Sequence, residues 1–289
     1  MHIVGFTIAR NARKYDYPVT ESIRSILPVC DEFIVSVGNS DDDTEDMIRA
    51  IGSDKIKIVH STWDDTLRTG GRVLAVETDK AFDAVPAHAD WAFYLQADEV
   101  VHEKHLDAIR QAAAAYQDDP RVEGLLFGYQ HFYGHYRYVG ASRKWYRREI
   151  RMIRNNKRIR SYRDAQGFRL DGRKLNVKLI EAEVYHYGWV KNPVDMNRKQ
   201  ANFGLLWAGA AAPEKIETVG AFDYEEIIDK LQLFKGTHPA VMQDRISRAD
   251  WTFDWDIRRN RMKWKYRLLH WIENLTGKRL FEYRNYRII

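Results

Sequence analysis

The feature that most constrains this chain is the alternation of β-branched runs with helical periods along its first part. Ile3 to Ala9 cluster apolar groups as a buried strand does, and Ile23, Ile26 and Leu27 follow at helical spacing. EFIVSVG then reads as a strand, TEDMIRAI as a helix with Gly52 as its stop, and KIKIVH as a third strand. A helix from Val73 to Phe82, the strand WAFYLQ, and a helix through Leu106, Ile109 and Ala113 extend the series. Such alternation predicts a parallel, doubly wound α/β sheet. After Pro120 the helical periods stop, because EGLLFGYQHFYG, REIRMIR and KLNVKLIEAEVYHYG read as successive strands. The α/β half is therefore expected to pass into a more antiparallel half. Beyond Pro193 the pattern turns helical again, through NRKQANFGLLWAG and YEEIIDKLQLF. With no repeat or low-complexity linker to mark a division, a soft boundary is placed near residue 220, separating a domain of 1–220 from a basic, aromatic helical extension of 221–289.

With 289 residues, 45% of them hydrophobic, the chain can bury a substantial core. A single cysteine, Cys30, asks for no oxidising compartment, so a cytoplasmic location is expected. The apolar opening is interrupted by Arg10 and is too short to cross a bilayer. A formal net charge of +5 suits an anionic ligand, nucleic acid or an acidic membrane surface without choosing among them.

Ligands of open α/β sheets bind beyond the carboxyl ends of the strands, which is where QADE follows WAFYL. Asp98 and Glu99 are both expected to emerge there. Hard carboxylate oxygens suit Mg²⁺ or Mn²⁺, which commonly take one or two protein carboxylates and complete their shell with phosphate and water. An acidic turn that merely solvates a strand end is the alternative.

In FTIARN, VGNSDDDTEDMI, GGRVLAVETDKAF, YLQADEVV and HYGWVKNP, taken in that order, the sequence resembles the family-2 glycosyltransferases, particularly bacterial members similar to those that extend lipopolysaccharide cores. The resemblance implies the GT-A nucleotide-diphospho-sugar transferase fold, a Rossmann-like mixed sheet flanked by helices, followed here by a C-terminal helical extension. It implies a nucleotide-sugar donor, a glycan or lipid-linked acceptor, a divalent metal and an inverting displacement. The family's acidic motif carries over to Asp98 as metal and donor ligand and departs at Gln96, which stands where a carboxylate is usual and is kept as a donor contact. At the nucleotide end the customary base-reading acid is Gly38, leaving Asn39 and Asp42 as donor contacts unless they serve as helix caps. Arg10 and Arg72 are candidates for phosphate oxygens, with Arg72 favoured by the resemblance. His186 is the candidate second metal ligand, and Lys199 the cation for the departing diphosphate.

For the base that deprotonates the acceptor hydroxyl, Asp164 in SYRDAQGFR is preferred over Glu149, Glu181 and Glu183. Arg163 and Arg169 would hold Asp164 ionised or simply pair with it. From Ile257, the residues Trp264, Leu268, Trp271 and Leu275 recur at helical spacing among Arg258, Arg259, Arg261, Lys263, Lys265 and Arg267. This basic amphipathic helix is expected either to meet an anionic membrane surface, placing the protein peripherally at the inner face, or to pack on the catalytic domain. Two other functions compete. A nucleotidyltransferase would show a glycine-rich first loop, which ARNARKYDYP lacks; an RNA-binding protein would use the basic and aromatic surface, but no RNA-binding motif is present and no nucleic acid is expected.

Overall fold

The alternation of the first half produces its elements in the predicted order. In the computed structural model, which describes residues 1–67, 69–207 and 220–289, they are β1 (Ile3–Ala9), α1 (Val19–Ile26), β2 (Glu32–Gly38), α2 (Thr44–Arg49), β3 (Ile56–Ser61), α3 (Arg72–Asp83), β4 (Trp91–Tyr94), β5 (Glu99–Val101) and α4 (Leu106–Ala115). Strands β1 and β4 are buried along their whole length, as strands covered on both faces must be. β1 pairs in parallel with β2 and with β4, and β2 with β3.

The second half runs β6 (Gly124–Tyr133), β7 (His135–Gly140), β8 (Arg148–Arg154), β9 (Ile159–Tyr162), β10 (Gly167–Leu170), β11 (Arg173–Trp189), α5 (Pro193–Trp207), α6 (Tyr224–Ile227), β12 (Leu231–Leu233), α7 (Gln243–Ser247), α8 (Trp264–Thr276) and β13 (Tyr286–Ile288). The sheet has the order β3-β2-β1-β4-β8-β6-β11-β10-β9. Here β8 is antiparallel to both β4 and β6, while β6 and β11 are parallel. A Rossmann-like mixed sheet flanked by helices is thus the architecture, with antiparallel strands entering where the helical periods cease. The turn at Gly134 that reverses β6 into β7 has φ +70°, and a Cβ there would meet the Phe253 ring at 2.4 Å.

Two apolar clusters fill the two faces of the sheet, one around Phe33, Trp91, Phe93 and Phe127, the other around Phe6, Phe82, Tyr94 and Phe168. The long strand β11 positions the site. It carries β6 along one edge and, on the other, β5, β10 and β13 at different heights, so residues near its end are held beside the loop that follows β4. Because β13 pairs with β11, the end of the chain is tied to the main sheet. Ala208 and Gly209, which close one predicted helical stretch, lie outside the described residues. Among the described residues, no helix is long and apolar enough to cross a membrane.

Candidate functional site

A cavity of about 660 Å³ opens at the carboxyl ends of β1 and β4 and is lined on another side by α5. Of the residues singled out in the sequence, Arg10, Gln96, Asp98, Asp164, His186 and Lys199 line it. Asn39, Asp42 and Arg72 do not.

Strand pleating separates the two adjacent carboxylates that the sequence suggested would emerge together. Glu99 enters the core, where it accepts from Arg151 Nη2 and Nε at 2.7 Å each, from Tyr129 OH at 2.8 Å and from Gln96 N at 3.1 Å. Both Glu99 and Arg151 are fully buried. A buried ion pair tolerates its desolvation only when its remaining lone pairs and protons are satisfied, and this one meets that condition. Arg151 Nη1 also donates to Ile150 O and Gln166 O, so the pair anchors the loop that carries Asp164. Glu99 is structural, which corrects the expectation that it faces ligand.

Asp98 turns the other way. Its Oδ2 accepts from Lys199 Nζ at 3.1 Å and lies 3.8 Å from His186 Nε2. Lys199 also donates to Gly188 O at 2.7 Å. Gly188 is needed here, since a Cβ would come within 2.5 Å of Asp98 Oδ2 and 2.7 Å of His186 Nε2. Burial acts to raise the Asp98 carboxyl, but the cations around it, Lys199 first, outweigh it and hold it well below the usual carboxylate range. Lys191, entirely buried, donates to Asp16 O, and burial together with the nearby Lys199 lowers its ammonium to about 7.

A second histidine fixes the orientation of the first. His131 Nε2 lies 2.8 Å from Tyr146 O, which only accepts, so this nitrogen carries the proton. Burial, followed by the neighbouring His186, pushes His131 well below the ordinary histidine range and keeps it neutral. His131 Nδ1 is then an acceptor, and His186 Nδ1, 3.2 Å away, is the donor. Burial lowers His186 as well and favours its neutral ring, in which the proton on Nδ1 leaves Nε2 bare and facing the Asp98 carboxylate. Two electron-pair donors facing each other suit a cation between them, and a donor proton on the remote ring nitrogen is the usual support of a ligating histidine. These two side chains fit a divalent ion that takes its remaining ligands from phosphate and water. A cluster of three ligand-type residues within metal reach, His2, Glu32 and His88, lies at the opposite end of the strands.

Gln96, the departure from the resembled motif, has a positional role. Its Nε2 donates to Ala165 O at 3.3 Å, fastening the Asp164 loop beside the Asp98 turn. That loop is strained, with Arg163 at φ 58° and Ala165 at φ 63° on either side of Asp164. Asp164 packs against Gly71, where an added Cβ would approach its Cβ to 2.8 Å; Gly71, itself at φ +68°, donates its N–H to Leu206 O. Both arginines expected to hold Asp164 ionised stack on Tyr162, Arg163 at 5.2 Å and Arg169 at 4.4 Å, and Arg163 still lends a lowering charge that burial outweighs. Burial is the dominant influence on Asp164 and raises its pKa. Of the other carboxylates considered as base, Glu149 is buried and pushed up to about 8 by desolvation, and Glu183 accepts from Gln130 Nε2 at 2.9 Å.

At the nucleotide end, Gly38 stands where the Trp63 indole packs, 2.4 Å from the position of an added Cβ. Arg10 lies over Trp63 at 5.5 Å, and Asp65 occupies its guanidinium fork at 2.6 and 3.0 Å. Asn39 accepts from Trp63 N, and Asp42 from Lys14 N and Thr44 N, so both shape loops beneath the cleft. Arg72 begins α3 with its side chain in solvent. Trp63, Lys191 and His131 are not singled out in the sequence, because their contacts are with residues distant in the chain; nor is Tyr17, a cavity-lining ring with Lys191 Nζ at 4.9 Å and Lys199 Nζ at 5.0 Å.

No protein-family model matches this chain. No curated protein matches it. Among solved structures, TarS 1–349 of S. aureus in complex with UDP-GlcNAc is 20% identical over 47% of this chain and 36% of that chain, with a TM-score of 0.33. Glucosyl-3-phosphoglycerate synthase from Mycobacterium tuberculosis, in complex with Mn²⁺, UDP and phosphoglyceric acid, is 20% identical over 46% of this chain and 43% of that chain, with a TM-score of 0.30. The 4-diphosphocytidyl-2C-methyl-D-erythritol synthase from Anaerococcus prevotii is 13% identical over 53% of this chain and 70% of that chain, with a TM-score of 0.34. The chain spans less than half the length of the first two.

Proposed function

We propose that this chain is a nucleotide-sugar-dependent glycosyltransferase of the GT-A type, acting on a hydroxyl of a glycan or lipid-linked acceptor by inverting displacement. The observation that carries the reading is the convergence of Asp98, His186 and Lys199 on one wall of the cleft, with Asp164 on a loop fastened to the same turn through Gln96. A divalent ion, Mg²⁺ or Mn²⁺, held by Asp98 and His186 would neutralise charge on the leaving nucleoside diphosphate. Lys199 supports the same departure with a positive charge fixed before reaction, at no cost of reorganisation. The Trp63 and Arg10 end of the cleft receives the nucleoside.

Asp164 accepts the acceptor proton as the oxygen attacks. Its partial burial serves this role, because a base is most effective when its pKa lies closer to working pH than an exposed aspartate's. The Asp164 loop is pinned by Arg151 and Gln96, so the carboxylate is placed before substrate arrives.

A thermal-shift screen of nucleotide sugars with and without Mn²⁺ tests the proposal. Metal-dependent stabilisation by a nucleotide sugar, followed by release of its nucleoside diphosphate on adding acceptor glycans, is the expected outcome. Stabilisation by a nucleoside triphosphate with release of pyrophosphate would assign the cleft to a nucleotidyltransferase instead.

A further inference from the structure

Helix α8 turns an apolar stripe away from its own protein. At 3.6 residues per turn, Trp264, Leu268, Trp271 and Leu275 fall within an arc of roughly 60°. All four face solvent, at 78%, 50%, 61% and 70% exposure, and Phe281 follows at 91%. The face turned toward the protein is mixed, with Leu269 and Ile272 half-buried beside His270 and Glu273. There Glu273 receives Arg143 at 2.6 Å, Arg147 at 3.3 Å and Arg279 at 3.6 Å, while His270 meets Lys230 at 3.3 Å. Ordinary amphipathic packing puts the apolar stripe inward and the ion pairs in water. Here Leu269, Ile272 and the ion pairs of Glu273 take the inward side and leave the second apolar stripe, Trp264, Leu268, Trp271 and Leu275, uncovered.

Charge around the stripe has one sign. Lys263, Lys265 and Arg267 are exposed beside it. The carboxylates of this segment are committed elsewhere, Glu273 as above and Glu282 to Arg147 and Arg284, each at 3.0 Å. The surface therefore offers tryptophans and leucines ringed by uncompensated cations. We propose that the outer face of α8 seats the protein on an anionic lipid bilayer, with Trp264 and Trp271 at the headgroup boundary, Leu268 and Leu275 against the acyl chains, and the flanking cations on lipid phosphates. A second copy is a poorer occupant, since face-to-face packing would bring Lys263, Lys265 and Arg267 against their own counterparts. RNA is poorer too, because leucines between the tryptophans offer nothing to stack on and lose nothing in hydrocarbon. This docking is independent of the chemistry in the cleft.

Flotation of the full chain with phosphatidylcholine vesicles, with and without phosphatidylglycerol, tests the assignment. The chain should float with the anionic vesicles, release as salt rises, and show a blue-shifted tryptophan emission when bound. The triple variant Trp264→Ser, Trp271→Ser, Leu275→Ser should keep its circular dichroism and lose at least about tenfold in vesicle affinity, the stripe supplying the apolar part of binding. Lys263→Glu with Lys265→Glu should lose the preference for anionic lipid. Equal vesicle binding by the triple variant overturns the proposal. So does absence of binding by the unaltered chain, whether it then forms a dimer or binds RNA through the same residues.

Discussion

The two ends of the parallel strands carry similar residues in opposite arrangements. At the amino end, Glu32 sits between His2 at 3.1 Å, His88 at 2.9 Å and Lys57, while the amide of His2 donates to Asp90 at 2.6 Å. Those charges neutralise one another near solvent. At the carboxyl end, Asp98, His186, Lys199 and Lys191 are crowded into buried space, and left-handed residues flank Asp164. One end closes the sheet; the other holds an arrangement that ligand can complete. Burial of charge that neighbours only partly satisfy is the ground on which the proposed site is placed at the carboxyl end.

The largest effect expected from breaking this contrast is at the base. Asp164→Asn should retain donor binding and lose about 10²–10⁴ in transfer rate, read by single-turnover product formation. In the unaltered chain, the proposed transfer should rise with pH through a value above the ordinary aspartate pKa of about 3.9, since burial raises this carboxyl and only its ionised form accepts a proton. A profile flat across the acid range would remove Asp164 from the role.

Next comes the structural carboxylate beside Asp98. Glu99→Gln leaves Arg151 buried without its counter-charge and should cost about 3–5 kcal/mol, measured by urea unfolding. Gly188→Ala should act in the site itself, pushing Asp98 and His186 apart and weakening nucleotide binding by up to about a hundredfold, with calorimetry as the readout. The smallest effect is predicted at the amino end. Lys57, His88 and His2 lower the Glu32 carboxyl to about 2 against a partial rise from burial. Its contribution is full above the ordinary glutamate pKa of about 4.3 and is lost as pH falls toward about 2. Glu32→Gln should therefore flatten part of the acid-unfolding curve and leave transfer unchanged.

These contrasts also show what the chain reveals before it folds. Buried parallel strands advertise themselves, so β1 to β4 and their helices follow from runs such as EFIVSVG and from helical spacing. The insertion of β8 between β4 and β6 does not, because antiparallel order is set by long-range pairing. Asp98 and Glu99 are chemically alike and adjacent; only the pleat and Arg151, 52 residues away, decide which enters the core. His131 looks like any strand histidine until β6 is laid beside β11, where it meets His186. In α8 the spacing gave the apolar stripe correctly, but the helix begins at Trp264, after Arg258, Arg259 and Arg261, and the stripe's outward direction depends on which partners hold Glu273.

The central claim is that Asp98 organises a donor site with metal. It is tested most directly by calorimetric titration of a panel of nucleoside diphosphates into the unaltered chain and into Asp98→Ala, each with and without Mn²⁺. The account predicts binding by the unaltered chain that requires the metal and is lost in the variant, whose fold persists by circular dichroism. Equal, metal-independent binding by both chains would contradict it.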